Sequence, residues 1–380
     1  MRNGQMKKTI LLAAFAASLA RAEYASDVQE FCSPFVDGQV HASTILPLKG
    51  RGEYLVCWFQ GTKEGNPDVA IWGSRRIGGT WEKTRQIARV RDVAHWNPVL
   101  FRGRDGRIVL FFKVGKPIGD WQTYVTESRD EGQTWSAPKE LVPGDVSGGR
   151  GPVKNKCLRL KSGRLLAPAS RERGPWRAFV DISDDDGRTW RAAPEMRVPD
   201  LKLKTGKPFG VIQPTLWQSA DGRVHAFLRS NAGRIFRSDS SDDGETWSEV
   251  ADTGLPNNNS GIDLVRVSDG RLYMAMNVSD VDWGPRTRLD LRVSADDGAT
   301  WKPFRTLISR VPGRGAWDGD EYSYPAIIEP RPGIVAITYT FNRKTIRFVE
   351  IETHGDTDFR QSLLDGDGVS EVERRHCPGK

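Results

Sequence analysis

Histidine, carboxylate, arginine and tyrosine side chains with the means for acid–base or nucleophilic chemistry stand in front of a series of apolar hairpins in this 380-residue chain. In order they are His41, Glu64 and Asp68, then His95 with Asn97, then Lys154, Asn155 and Lys156, then Gln213. Asn259, Ser260 and Asp263 follow, and Asp320, Glu321, Tyr322 and Tyr324 close the series. Arg229, Arg286 and Arg288 lie near strand ends between them. Loops on a rigid scaffold are the usual address of binding and catalysis. Each residue taken alone reads as a solvated or hydrogen-bonded rim side chain; what joins them is their position in a repeat.

That repeat announces itself in an acidic box. Residues 183–190 read SDDDGRTW, and related boxes stand at 128–135 (SRDEGQTW), 240–247 (SSDDGETW) and 294–301 (SADDGATW), with a worn copy, SRRIGGTW, at 74–81. Their tryptophans, Trp81, Trp135, Trp190, Trp247 and Trp301, are spaced 54, 55, 57 and 54 residues apart, the mark of a repeat architecture. A cluster of aspartates admits a metal loop or a catalytic acid, but a calcium loop of the EF-hand kind needs a distal glutamate that is missing here. In a tight turn the aspartate accepts from backbone amides and the glycine takes positive φ. The boxes therefore read as turn staples.

Upstream of each tryptophan lies an apolar strand, a turn and another strand, as in PVLFRGRDGRIVLFF (98–112) and PTLWQSADGRVHAFLRS (214–230). Asp-Gly and Ser-Gly pairs favour the tight hairpin, and the flanks alternate as strands do. With degenerate copies at 43–59 and 325–340 there are six units of about four short strands each. The fold class is all-β, a six-bladed β-propeller with Asp-box repeats. The sixth unit lacks a box, and residues 28–36 are expected to supply its outer strand and close the ring.

Residues 1–22 pair Lys7 and Lys8 with the run ILLAAFAASLA and end in Ala20-Arg21-Ala22, the pattern of a signal peptide, which implies a secreted or periplasmic protein. The domain division is 1–22 signal, 23–353 propeller and 354–380 a loose tail. Those first residues hold four basic groups and no acidic ones, so without them the formal +7 falls to about +3, weak support for a nucleic-acid partner. No other segment suggests membrane insertion. Cys32, Cys57, Cys157 and Cys377 lack CxxC spacing, so neither a zinc site nor any other metal or cofactor is expected.

The boxes and rim loops together resemble the sialidase (neuraminidase) superfamily over about residues 35–350. That resemblance implies a tyrosine nucleophile activated by a glutamate, an aspartate acid/base, and three arginines around a substrate carboxylate. On this sequence EYSYPAII matches the nucleophile's segment at Tyr322, with Glu321 beside it. Arg229 matches the second arginine, Arg288 or Arg286 the third, and Asp68 or Glu64 the acid/base. Two positions depart from the pattern: HASTI, with His41, replaces the first arginine's Arg-Ile-Pro, and Gln213 replaces the glutamate before a proline. His95, Asn97, Lys154, Asn155 and Asp263 complete the expected substrate-binding rim. The implied function is a monomeric, sialidase-like glycoside hydrolase acting on an acidic glycan. A polysaccharide lyase on uronates and a glycan-binding propeller without turnover are the alternatives, separated by whether products gain water, become unsaturated, or never form.

Overall fold

Each acidic box folds on itself before it meets the rest of the chain. In the computed structural model, which describes residues 28–203, 205–309 and 320–353, Asp130 accepts from the Thr134 amide at 2.8 Å and the Thr134 hydroxyl at 2.5 Å. Ser128 donates to Asp130 at 2.8 Å and accepts from the Gly132 amide at 2.9 Å. The same bonds recur around Asp185, Asp242 and Asp296. Every partner lies within four residues, so the motif needs no tertiary help. The residue after each aspartate is left-handed, and it reaches the preceding blade. Asp186 accepts from the Arg104 amide at 2.9 Å and Asp297 from the Trp217 indole at 3.0 Å.

The strands form six antiparallel sheets, the blades of a propeller. Blades I to V begin with strands Gln39–Pro47, His95–Arg102, Leu158–Arg159, Val211–Gln218 and Asp263–Arg266. Blade VI comprises Tyr322–Arg331, Ile334–Phe341 and Thr345–Glu352, and its outer strand is Val28–Phe31, paired Val28 to Glu350. The expected closure by the N-terminal segment is what is found. Glu30 on this strand accepts from Arg76 at 2.7 and 2.8 Å and from the Trp81 indole at 2.7 Å, so the worn box of blade I latches the ring shut. Box tryptophans pack between blades: Trp81 lies 5.4 Å from Phe348, Trp190 5.9 Å from Phe111 and Trp301 5.8 Å from Phe227, centroid to centroid. Apart from a short 3-10 turn at Ile118–Asp120 the described residues hold no helix, and so none long and apolar enough to cross a membrane.

Six non-glycine residues, one per blade, sit in the left-handed region at equivalent places near the start of the innermost strand. They are Ala42 (φ 55°), Asn97 (43°), Lys154 (65°), Gln213 (53°), Asn259 (59°) and Tyr324 (53°). In blades I, II, IV and VI the ladder shifts register there, between His41 and Thr44, Trp96 and Val99, Ile212 and Thr215, and Ser323 and Ala326. A bulge adds a residue and re-aims the side chains around it, and such strained positions persist where the surroundings hold them. Because successive strands are antiparallel, this end of the propeller also carries the loops between second and third strands. The boxes, which follow the third strands, are at the other end. Residues 1–22, read above as a signal, and 354–380, read as a tail, lie outside the described residues.

Candidate functional site

At the rim end, Arg229 closes blade IV's second strand, Val224–Ser230, with only 3% of its surface exposed. Its Nε donates to Asn259 Oδ1 at 2.7 Å, and its Nη1 donates to Gln213 Oε1 at 3.2 Å and to the Tyr324 hydroxyl at 2.5 Å. Three aromatic rings surround the guanidinium, Trp176 at 5.5 Å, Tyr324 at 5.7 Å and Trp283 at 5.9 Å. No carboxylate forms an ion pair with it among the described residues. A buried cation without an ion-pair partner is costly.

Tyr324, not Tyr322, is the tyrosine of this cluster. The Tyr322 ring has no exposed surface; it packs 5.1 Å from Phe341 in the core of blades V and VI. The bulge between Ser323 and Ala326 separates the two tyrosines and brings the Tyr324 ring to 4.1 Å from that of His41. A sequence signal was available: Asn97-Pro98, Gln213-Pro214 and Tyr324-Pro325 share a residue–proline step at the same point of their blades. His41 donates or accepts through Nδ1 with Thr340 Oγ1 at 2.8 Å, and burial, reinforced by Arg343, holds its imidazole well below the usual range, hence neutral. Gly261 lies against both Tyr324 and Lys154; a Cβ there would come within 2.8 Å of Lys154 Cε and 3.4 Å of Tyr324 Cγ.

Around this pair the expected arginines rearrange. Arg286 stacks over Tyr324 at 5.6 Å and donates to Glu321 at 2.7 Å. Arg288 instead forms a two-pronged pair with Asp290, both bonds 2.9 Å, with nearly half of its side chain exposed, so it is not part of the cluster. Arg343, which the sequence did not single out, bridges Glu321 at 2.7 Å and Glu64. Burial alone would raise the Glu321 carboxyl, but Arg343 and Arg286 hold it far below the usual range. Glu64 is thus engaged as an ion-pair partner. Asp68 accepts from the Thr62 amide at 2.7 Å and hydroxyl at 2.8 Å, and these bonds outweigh its slight burial and keep it ionised.

Several expected binding residues serve as supports. His95 is buried, with Nε2 accepting from the Val90 amide and Nδ1 donating to the Val93 carbonyl, both at 2.8 Å, so neither nitrogen is free for substrate. Lys154 reaches across the axis from blade III to the carbonyls of Ile262, at 2.9 Å, and Pro325, and burial lowers its ammonium to about 7. Asn155 donates to the Gln213 and Pro214 carbonyls at 3.0 and 2.9 Å. Asp263 accepts from Lys156 at 2.9 Å, Thr215 at 2.8 Å and the Ile327 amide at 3.0 Å, tying four blades together. These three form the floor beneath the cluster. Asn97 differs: its side chain has no hydrogen-bond partner among the described residues. Glu172, Trp176 and Trp283 are further rim residues that lie in loops without a repeat signature, and Trp283 is 60% exposed.

Residues 52–337 match the BNR repeat-like domain family. The chain belongs to that family. BNR-repeat propellers include sialidases, and the comparisons agree. A sialidase of Micromonospora viridifaciens is 25% identical over 234 residues, which is 55% of this chain and 34% of that protein, so the chain matches about a third of its relative's length. A Dyadobacter fermentans protein of unknown function superposes with a TM-score of 0.67 at 17% identity, covering 85% of this chain and 97% of its own. The NanB sialidase of Streptococcus pneumoniae gives 0.62 at 14% identity, covering 84% and 71%. At such identities the structural likeness carries the fold alone.

Proposed function

We propose that this BNR-repeat protein is a glycoside hydrolase of the sialidase type, acting outside the cytoplasm on a glycan whose reacting sugar bears a carboxylate. The carrying observation is Arg229, a buried guanidinium that forms no ion pair among the described residues and whose Nη1 donates to the Tyr324 hydroxyl. Guanidinium and carboxylate pair strongly through parallel hydrogen bonds, so a carboxylate is the anion that suits it. Because the phenol oxygen accepts from Arg229, its own proton is free for another acceptor. Tyr324 then faces the anomeric carbon and stabilises, or captures, the positive charge that develops there. Trp176 and Trp283 offer apolar walls for the faces of a sugar ring.

A second reading, elimination from a uronate, draws support from Gln213, an amide where the superfamily pattern has a carboxylate. Gln213 and Arg229 would neutralise the uronate carboxylate while Tyr324 moves the proton. Mass analysis of products from α-sialosides and uronic-acid oligosaccharides separates the two. Products heavier by one water support hydrolysis; an unsaturated, ultraviolet-absorbing product supports elimination and refutes the first reading. Binding without any product refutes both.

A further inference from the structure

Hydrolysis of a glycoside with a poor leaving group needs a proton delivered to the departing oxygen. The expected donors are engaged elsewhere: Asp68 is held ionised by Thr62, and Glu64 is paired with Arg343. Glu172 is different. It directly follows blade III's second strand, Leu165–Arg171, at the rim end, and remains partly open to solvent. Among the described residues it has no ion-pair partner. Its side-chain hydrogen bonds among those residues are two long ones, from Gln213 Nε2 and Ser170 Oγ, both at 3.4 Å. Gln213 turns its other end, Oε1, to Arg229, which holds Tyr324. Glu172 thus stands one amide away from the arginine–tyrosine pair.

We infer that Glu172 is the general acid of this site, giving its proton to the oxygen that leaves the anomeric carbon. This rests on the hydrolase reading. As the glycosidic C–O bond breaks, its electron pair stays on the departing oxygen, which takes the Glu172 proton and leaves as an alcohol. The water that ends on the anomeric carbon gives up a proton, and that proton restores Glu172. The sum is one glycoside and one water converted to two hydroxyl compounds, with the enzyme unchanged. Burial pushes the Glu172 carboxyl above its usual range, against the pull of Arg229, so the acid form persists to higher pH, as a donor requires. The departure at position 213 also acquires a reason. A glutamate there would set a second carboxylate against Glu172 and neutralise Arg229, whereas the amide donates to one and accepts from the other.

The test uses ethyl and nitrophenyl α-sialosides and β-glucuronides, compared between the unaltered protein and Glu172→Gln. Nitrophenolate leaves without a proton; ethoxide does not. On the ethyl glycoside kcat/KM should fall about 100- to 10,000-fold and lose its alkaline limb, whereas the nitrophenyl glycoside should lose less than about tenfold. Glu172→Asp, which keeps the acid but withdraws it, should fall between. Equal losses on both glycosides, with a melting temperature unchanged, would overturn the role of Glu172 and leave the hydrolase reading standing. If the unaltered protein hydrolyses neither class, the hydrolase reading falls and this inference with it.

Discussion

Replacing Arg229 by methionine removes a charge while keeping most of the side chain's length. Three acceptors, Asn259 Oδ1, Gln213 Oε1 and the Tyr324 hydroxyl, lose their donor, at about 1–3 kcal/mol each where no water replaces it. Against that, the substitution removes a buried guanidinium that forms no ion pair among the described residues, and methionine is readily buried. The two effects oppose each other, so the net change in folding stability should be small. Binding of an acidic ligand has no such compensation. A charge-assisted pair in an enclosed site is worth about 2–4 kcal/mol, or about 30- to 1,000-fold in Kd. A ligand whose carboxylate is reduced to an alcohol should lose less than about threefold, because it never used the charge. Calorimetric titration of the acidic sugar and its alcohol against both proteins gives the comparison, with thermal melts to confirm folding. If acid and alcohol weaken equally, Arg229 is a structural residue and the carboxylate-receptor argument fails.

Tyr324→Phe should lower turnover by at least about a hundredfold while leaving ligand binding intact, and Tyr322→Phe should leave turnover unchanged; the reverse pattern in steady-state kinetics would refute the assignment. Thr300 donates to Asp296 through its hydroxyl and amide and holds that carboxyl at about 2, below the ordinary 3.8. Its contribution to stability is therefore full above pH 4 or so and lost as pH falls toward 2, and Asp296→Asn should remove this dependence from acid denaturation curves. Burial lowers Lys154 from 10.5 to about 7, so the unfolded chain binds the extra proton between those values. Stability should rise with pH across that window in the unaltered protein, and Lys154→Met should flatten the rise. Trp247 lies in the core that blades III and IV share, and Trp247→Ala should cost about 3–5 kcal/mol in denaturant unfolding without altering the ligand preference of the folded protein.

The repeat was legible in the sequence because its bonds are local. Ser128, Asp130, Gly132 and Thr134 satisfy one another within a single turn, so the box reads the same wherever it stands. The tryptophan spacing then counts the blades, and a box-less sixth unit implies the borrowed strand that Val28–Phe31 supplies. The tyrosine facing the rim cluster, by contrast, could not be read from a two-residue strand period. A bulge breaks that period between Ser323 and Ala326, and it brings Tyr324 rather than Tyr322 to Arg229 and His41. Arg286 and Arg288 are alike in sequence, yet Asp290 captures the second and leaves the first to the rim. Arg343 meets Glu64 across 279 residues of chain, and Glu172 meets Gln213 across 41. Such pairings depend on how the six blades are rotated about the axis. No local pattern encodes that rotation, so the sequence by itself determined the propeller and its staples, and only the closed ring decided which charges face one another.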